Sequence, residues 1–187
     1  MKTHMDIEKL IESGSIRNEL DYERAMVADR KLRLLAKTSV HFKNLRTKLR
    51  DLIKVYENRV WSDENAVGNE LIYQSDQAEL IAEKERVFLE KRKKAIQHKL
   101  KDFNLTQEEL GLLLGHKSKT HMSELINGIK PFTLQDLVII SKIFKIDIET
   151  LIPKFLPIDK IDRISATIEE INKPKLNEVK AQLFLAS

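Results

Sequence analysis

The chain has 187 residues, 42% of them hydrophobic, 6% aromatic and 33% charged, and its 33 Lys and Arg against 29 Asp and Glu leave a net charge of +4. An apolar share of that size with both charge signs present excludes a wholly disordered chain, and the lack of cysteine excludes a disulfide scaffold, a thiolate zinc site and a cysteine nucleophile. Apolar runs stop at four residues, as at 137–140, so the sequence offers neither a transmembrane helix nor a signal-peptide core and the expected location is the cytoplasm.

Five glycines and four prolines punctuate the chain, and β-branched alternations are few. An all-α fold is expected. The charge is uneven: residues 86–131 carry ten Lys and Arg against five Asp and Glu, so the rest of the chain sums to −1. A basic segment of this size suits a polyanion partner, although Lys91-Arg92-Lys93-Lys94 alone would equally suit the solvated face of a helix.

In chain order, Ile7, Leu10 and Ile11 form a short amphipathic stretch closed by Ser13-Gly14-Ser15. The next helix is expected over residues 17–36, with Leu20, Leu32 and Leu35 on its apolar side. Thr38-Ser39 then offers a turn and an N-cap. Leu45, Leu49, Leu52, Ile53, Tyr56 and Val60 make the clearest helical stripe of this half. It faces the preceding helix of an antiparallel hairpin, a dimer mate or a partner chain, and periodicity alone does not choose. Trp61 ends this helix as a core or anchor residue. Residues 62–75 read as a polar linker containing Gly68, with Ser75 capping a long helix marked by Leu89, Ile96, Leu100 and Phe103.

Punctuation becomes dense from Leu105. Thr106 followed by Glu109 is a capping box, which starts a helix by satisfying two free amides reciprocally. Gly115 ends it, since glycine accepts positive φ. Ser118 caps the next helix, with Met122 and Leu125 inward and a stop at Asn127-Gly128. Thr133 opens a further helix with Leu134, Leu137, Ile140 and Phe144 on one face, and Asp147 caps a last short one. Five short helices with a tight turn between the second and third make a helix-turn-helix. The third helix buries Met122 and Leu125 and leaves Lys119, Thr120, Ser123 and Glu124 on its polar side. Gly111 occupies a spot that needs a small side chain. After Pro153 the tail supports one short helix near 165–172 and another from Leu176.

The run Leu105-Thr106-Gln107-Glu108-Glu109-Leu110-Gly111, with Leu114-Gly115, Ser123, Asn127-Gly128 and Lys130-Pro131, resembles the Xre/Cro-type helix-turn-helix family over roughly residues 86–153. The turn Gly115-His116-Lys117-Ser118 is one residue longer than the common pattern. In that respect the segment is similar to HigA-like antitoxins, which also place an Asp-Tyr-x-x-Ala signature in a preceding helical region. Here that signature is Asp21-Tyr22-Glu23-Arg24-Ala25.

The resemblance implies DNA contacts. Gln107, Lys117 and Ser118 would bond phosphates. Lys119, Thr120, Ser123 and Glu124 would face bases, lysine suiting guanine and glutamate accepting from cytosine N4. Asn127 and Lys130 would fix register on the backbone. It also implies a homodimer on a palindromic double-stranded operator, a small mRNA-cleaving toxin as partner, and repression of its own promoter. The organisation expected is a helical region at 1–61 that binds the toxin, a linker at 62–75, the helix-turn-helix domain at 76–153 and an extension at 154–187. The alternatives are a stand-alone regulator whose N-terminal half senses a ligand or dimerises, and an adaptor with a vestigial helix-turn-helix.

No cofactor, metal site, catalytic constellation or membrane partner is expected. His116 and His121 are five apart and lack cysteine or carboxylate company. Gly111-Leu112-Leu113-Leu114-Gly115 is flanked by charges, so it is no membrane motif. Glu169 and Glu170 diverge on a helix.

Overall fold

A computed structural model describes residues 4–62, 68–156 and 158–178, all helices and connecting turns. The linker expected at 62–75 and the helix expected from Leu176 fall partly outside these residues. The N-terminal helices are α1 (Ile7–Ser13), α2 (Glu19–Leu35) and α3 (Val40–Val60), followed by the long α4 (Asn69–Asp102). Then come α5 (Gln107–Leu114), α6 (Lys119–Ile126), α7 (Leu134–Phe144), α8 (Ile148–Leu151) and α9 (Ile158–Ile171). None of the described helices is long and apolar enough to cross a membrane.

Caps set the early boundaries. Asp6 and Asn18 accept the amide hydrogens of Lys9 and Asp21 at 3.3 and 2.8 Å. Gly14 ends α1 at φ 70°. Ser39 occupies the N-cap of α3, but its side chain makes no capping bond.

Pairs between α2 and α3 run in reciprocal order, as in an antiparallel hairpin. Arg46 bonds Asp29 at 2.9 Å. Nearer the other end Tyr22 bonds Glu57 at 2.9 Å, and Tyr56 bonds Glu19 at 2.7 Å. The leucine stripe serves this hairpin: Leu45, Leu49, Ile53 and Tyr56 are buried with Ala25, Ala28 and Leu32. The Asp-Tyr-x-x-Ala residues are used here too, with Ala25 fully buried and Tyr22 stacked on Tyr56 at 5.1 Å.

The long helix differs from the expectation. It starts at Asn69, with Gly68 at the N-cap, rather than at Ser75. A Gln74–Glu70 hydrogen bond of 2.8 Å, one turn apart, supports helix where polar composition suggested linker. At 34 residues α4 spans about 50 Å. Its first half packs on α2 through Ala78, Ile81 and Ala82, with ion pairs from Arg24 to Glu85 and from Lys31 to Glu90. Its second half supplies Ile96 and Leu100 to the helix-turn-helix core.

That second core gathers Leu110, Leu114, Met122, Leu125, Phe132, Leu137, Ile140, Phe144 and Leu151. The helix-turn-helix also reaches into the first core. Ile129, on the loop after α6, is 1% exposed among the residues of α1, α2 and α3, and its carbonyl accepts the Ile7 amide at 3.0 Å. Fully burying one such side chain is worth about 2 kcal/mol.

The tail also differs. α9 begins at Ile158, earlier than expected, and buries Ile161 and Ile168, with Ile164 half-buried between them. The sequence carries that isoleucine spacing.

Candidate nucleic-acid interface

The α5–α6 unit is built from local chemistry. Thr106 Oγ1 accepts the Glu109 amide at 3.2 Å, and Glu109 Oε2 accepts the Thr106 amide at 2.7 Å. These bonds from the Thr106 backbone and hydroxyl hold the Glu109 carboxyl below its usual range. Gly115 leaves α5 at φ 81°, and the Ser118 hydroxyl oxygen accepts the His121 amide at 3.2 Å to start α6. Gly111 is needed where the sequence placed it. A Cβ there would lie 2.7 Å from Met122 Cγ and 2.9 Å from the His116 carbonyl.

The first turn of α6 and the residues before it face solvent. Lys117, Ser118, Lys119 and Thr120 are exposed, and Gln107 at the start of α5 is half-buried beside them. Lys119 Nζ pairs with Glu108 at 2.6 Å, but both side chains are more than half exposed. An exposed pair of this kind contributes little and exchanges readily for a phosphate or a base.

The second half of α6 is placed differently from the expectation. Glu124 is a correction: its side chain is 3% exposed, and it receives His41 Nε2 at 2.6 Å, Lys130 Nζ at 3.0 Å and His121 Nδ1 at 3.4 Å. Desolvation pushes its pKa up, but hydrogen bonding with Lys130, Glu8 and His41 outweighs that and leaves the carboxyl below the usual range. It is therefore not on the free side of the helix.

Asn127 and Lys130 also have partners within the protein. Asn127 is buried, accepts from Lys93 Nζ at 2.8 Å and donates to the Ser123 carbonyl at 2.8 Å. Lys130 is held by Glu8 and Glu124. Desolvation lowers its pKa, and the bonds to those two carboxylates more than reverse this. Ser123 is half-buried, its hydroxyl 3.3 Å from the Asn127 amide nitrogen. The helical period of α6 does not reveal this, because the cover comes from α1, α3 and α4. Sequence reasoning misses Glu8, His41 and Ile129, which nothing in their local sequence marks, and sees Lys93 only as one member of a basic run.

Glu8, His41 and Glu124 bring one ligand-type atom each to within 4.8 Å of one another. The Lys130 ammonium lies against both carboxylates, so the cluster already holds a cation. His116 and His121 come edge to face at 5.0 Å, and His116 Nε2 is 3.1 Å from Asp136.

Residues 96–151 match the family model described as Helix-turn-helix. The match begins inside α4 and ends with α8, and the family it matches is one of DNA-binding domains. No curated protein and no solved structure matches the chain.

Proposed function

We propose that this chain is a sequence-specific repressor that binds a palindromic operator as a homodimer, and that it is the antitoxin of a type II toxin–antitoxin pair. The observation that carries the DNA reading is the exposed edge formed by Lys117 and Ser118 ahead of α6 and Lys119 and Thr120 in its first turn, on a helix whose inner side is locked into a core. Lys119 and Thr120 read bases, while Lys117, Ser118 and the side chain of Gln107 bond phosphates. One recognition helix covers few base pairs, so two half-sites about one helical turn apart supply the specificity.

The antitoxin reading is supported by the placement of a helical region, residues 1–61, ahead of the helix-turn-helix and by its resemblance to HigA-like chains. The leucine stripe is spent on the hairpin. The toxin would therefore meet outer positions of α3 such as Val40 and Val55, which are 73% and 63% exposed.

A second reading, a stand-alone regulator with a ligand-sensing N-terminal half, is favoured by a cavity of about 760 Å³. Met5, Leu10, Ile152, Phe155 and Leu156 line it, with Lys9 and Arg17 at its wall.

Selection of binding sites from randomised duplexes tests the repressor, and an inverted repeat is the expected product. A flat selection would overturn it. Co-expression with the adjacent small reading frame tests the antitoxin: a stoichiometric complex and rescued growth are expected. Failure to co-purify, with site selection intact, would overturn the antitoxin and favour the sensor.

A further inference from the structure

A groove of about 480 Å³ runs between α2 and α4 and ends at Asn127, the C-cap of the recognition helix. Its walls carry five cations, Arg30, Lys31, Arg33, Arg86 and Lys93, against the single carboxylate of Glu90. Lys31 is paired with Glu90 at 3.3 Å, and Arg86 with Glu83 at 2.6 Å. Arg30 and Arg33 are exposed and have no ion pair within 4.0 Å among the described residues, although the charge of Arg30 is felt by Glu23 and Glu83, while Lys93 bonds the neutral Asn127 amide. The basic segment at 86–131 does not include α2, yet 30–37 holds Arg30, Lys31, Arg33 and Lys37 without an acid. Folding adds these to the basic segment.

The spacing selects the ligand. Arg86 and Lys93 are seven residues apart on one helix, about 10 Å along its axis. One small anion cannot meet both ends, whereas successive phosphates of a nucleic-acid strand can. Position agrees with this. The eight residues of α6 span about 12 Å, close to the roughly 12 Å width of the major groove. A helix with its first turn at the bases therefore brings its C-terminal end to the flanking strand. Asn127, expected to hold that strand, is buried and bonded to Lys93, and the cations of the groove stand beside it.

We infer that the α2–α4 groove seats the sugar-phosphate backbone flanking the bound half-site, with Arg30 and Arg33 as its principal contacts. The N-terminal helices are then part of the DNA interface. This inference rests on the DNA-binding reading above.

Its test is fluorescence anisotropy on the full chain, using a selected duplex and a mixed-sequence duplex at a series of salt concentrations. Arg30→Gln with Arg33→Gln should weaken both duplexes alike. The slope of log affinity on log salt should shrink by about 0.9 for each phosphate that is no longer neutralised. Because both side chains are exposed, the thermal melt should not move. Lys119→Ala with Thr120→Ala should instead erase the difference between the duplexes and keep most of the slope. An unchanged slope in the arginine variant, with the wild-type chain binding normally, would overturn the groove alone and leave it to an acidic protein partner. A wild-type chain that binds neither duplex at low salt would overturn both the groove and the DNA reading.

Discussion

His41 on α3 holds Nε2 2.6 Å from Oε1 of Glu124 on α6, 83 residues further along the chain. Lys130 joins the same carboxylate from the following loop and reaches on to Glu8 of α1. Together with the Ile7–Ile129 backbone bond, this ties the N-terminal helices to the back of the helix-turn-helix. The orientation of α6 is therefore set from both cores.

The tie predicts measurable coupling. Glu124→Gln removes a buried charge that three cationic or protonatable groups surround, and it should cost about 2–4 kcal/mol in urea unfolding. His41→Ala alone should cost less, because its ring is 39% exposed. A double-mutant cycle should show an interaction of at least about 0.5 kcal/mol. Strict additivity would mean that the His41–Glu124 bond contributes nothing to joining the two parts.

What could be read from the sequence divides along the range of the interactions. Capping residues such as Thr106, Ser118 and Thr133 act within three residues, and each stands where the sequence put it. Gly111 was legible because a small residue in an apolar helix implies close approach. Glu124 was not. Its neighbours Thr120 and Ser123 are polar, and whether such a face meets water or another helix depends on a chain segment 83 residues away. The start of α4 and the length of α9 escape for a different reason: local composition there points away from helix, while a helical hydrogen bond and an isoleucine period decide for it.

Arg92 offers a test of what a buried cation contributes. It is 2% exposed, lies over the rings of Phe88 and Phe132 at 5.6 and 5.4 Å, and donates a long bond of 3.4 Å to the Leu151 carbonyl. Its Nη2 has no hydrogen-bond partner among the described residues. Desolvation pushes its pKa down to about 10. Arg92→Met keeps much of the volume and removes the charge, so stability should be unchanged or higher by about 1 kcal/mol. Arg92→Ala opens a cavity and should cost about 3 kcal/mol. Equal losses in both variants would show that the charge itself holds α4 to α8.

Packing at Gly111 leaves no room for a branched side chain. Gly111→Val places atoms within 3 Å of Met122 and of the His116 carbonyl, and the carbonyl cannot rotate away as a side-chain end can. Loss of at least about 2 kcal/mol is expected in thermal or urea unfolding. DNA affinity should fall with it, because α5 and α6 must separate. A variant as stable as the wild type would show that these two helices pack less closely than the structure has them.

Acid sensitivity should trace to His4. Desolvation, and then the charges of Arg92 and Lys31, lower its pKa from 6.5 to about 3. Between these values the unfolded chain binds a proton that the folded chain refuses. The stabilisation is complete above pH 6.5 and is lost progressively as the pH falls toward 3. One proton gives a slope of at most about 1.4 kcal/mol per pH unit. In the window from pH 6.5 down to about 5 the lowered carboxyls of Glu124 and Glu109 do not contribute, and Asp21 and Glu23, raised by desolvation, act in the opposite sense to His4 and equally with His4 present or replaced. Unfolding free energies measured across it should fall for the wild-type chain and stay nearly flat for His4→Gln. Parallel curves would mean that the folded chain accepts the proton, and that His4 is solvated rather than enclosed beside Arg92 and Lys31.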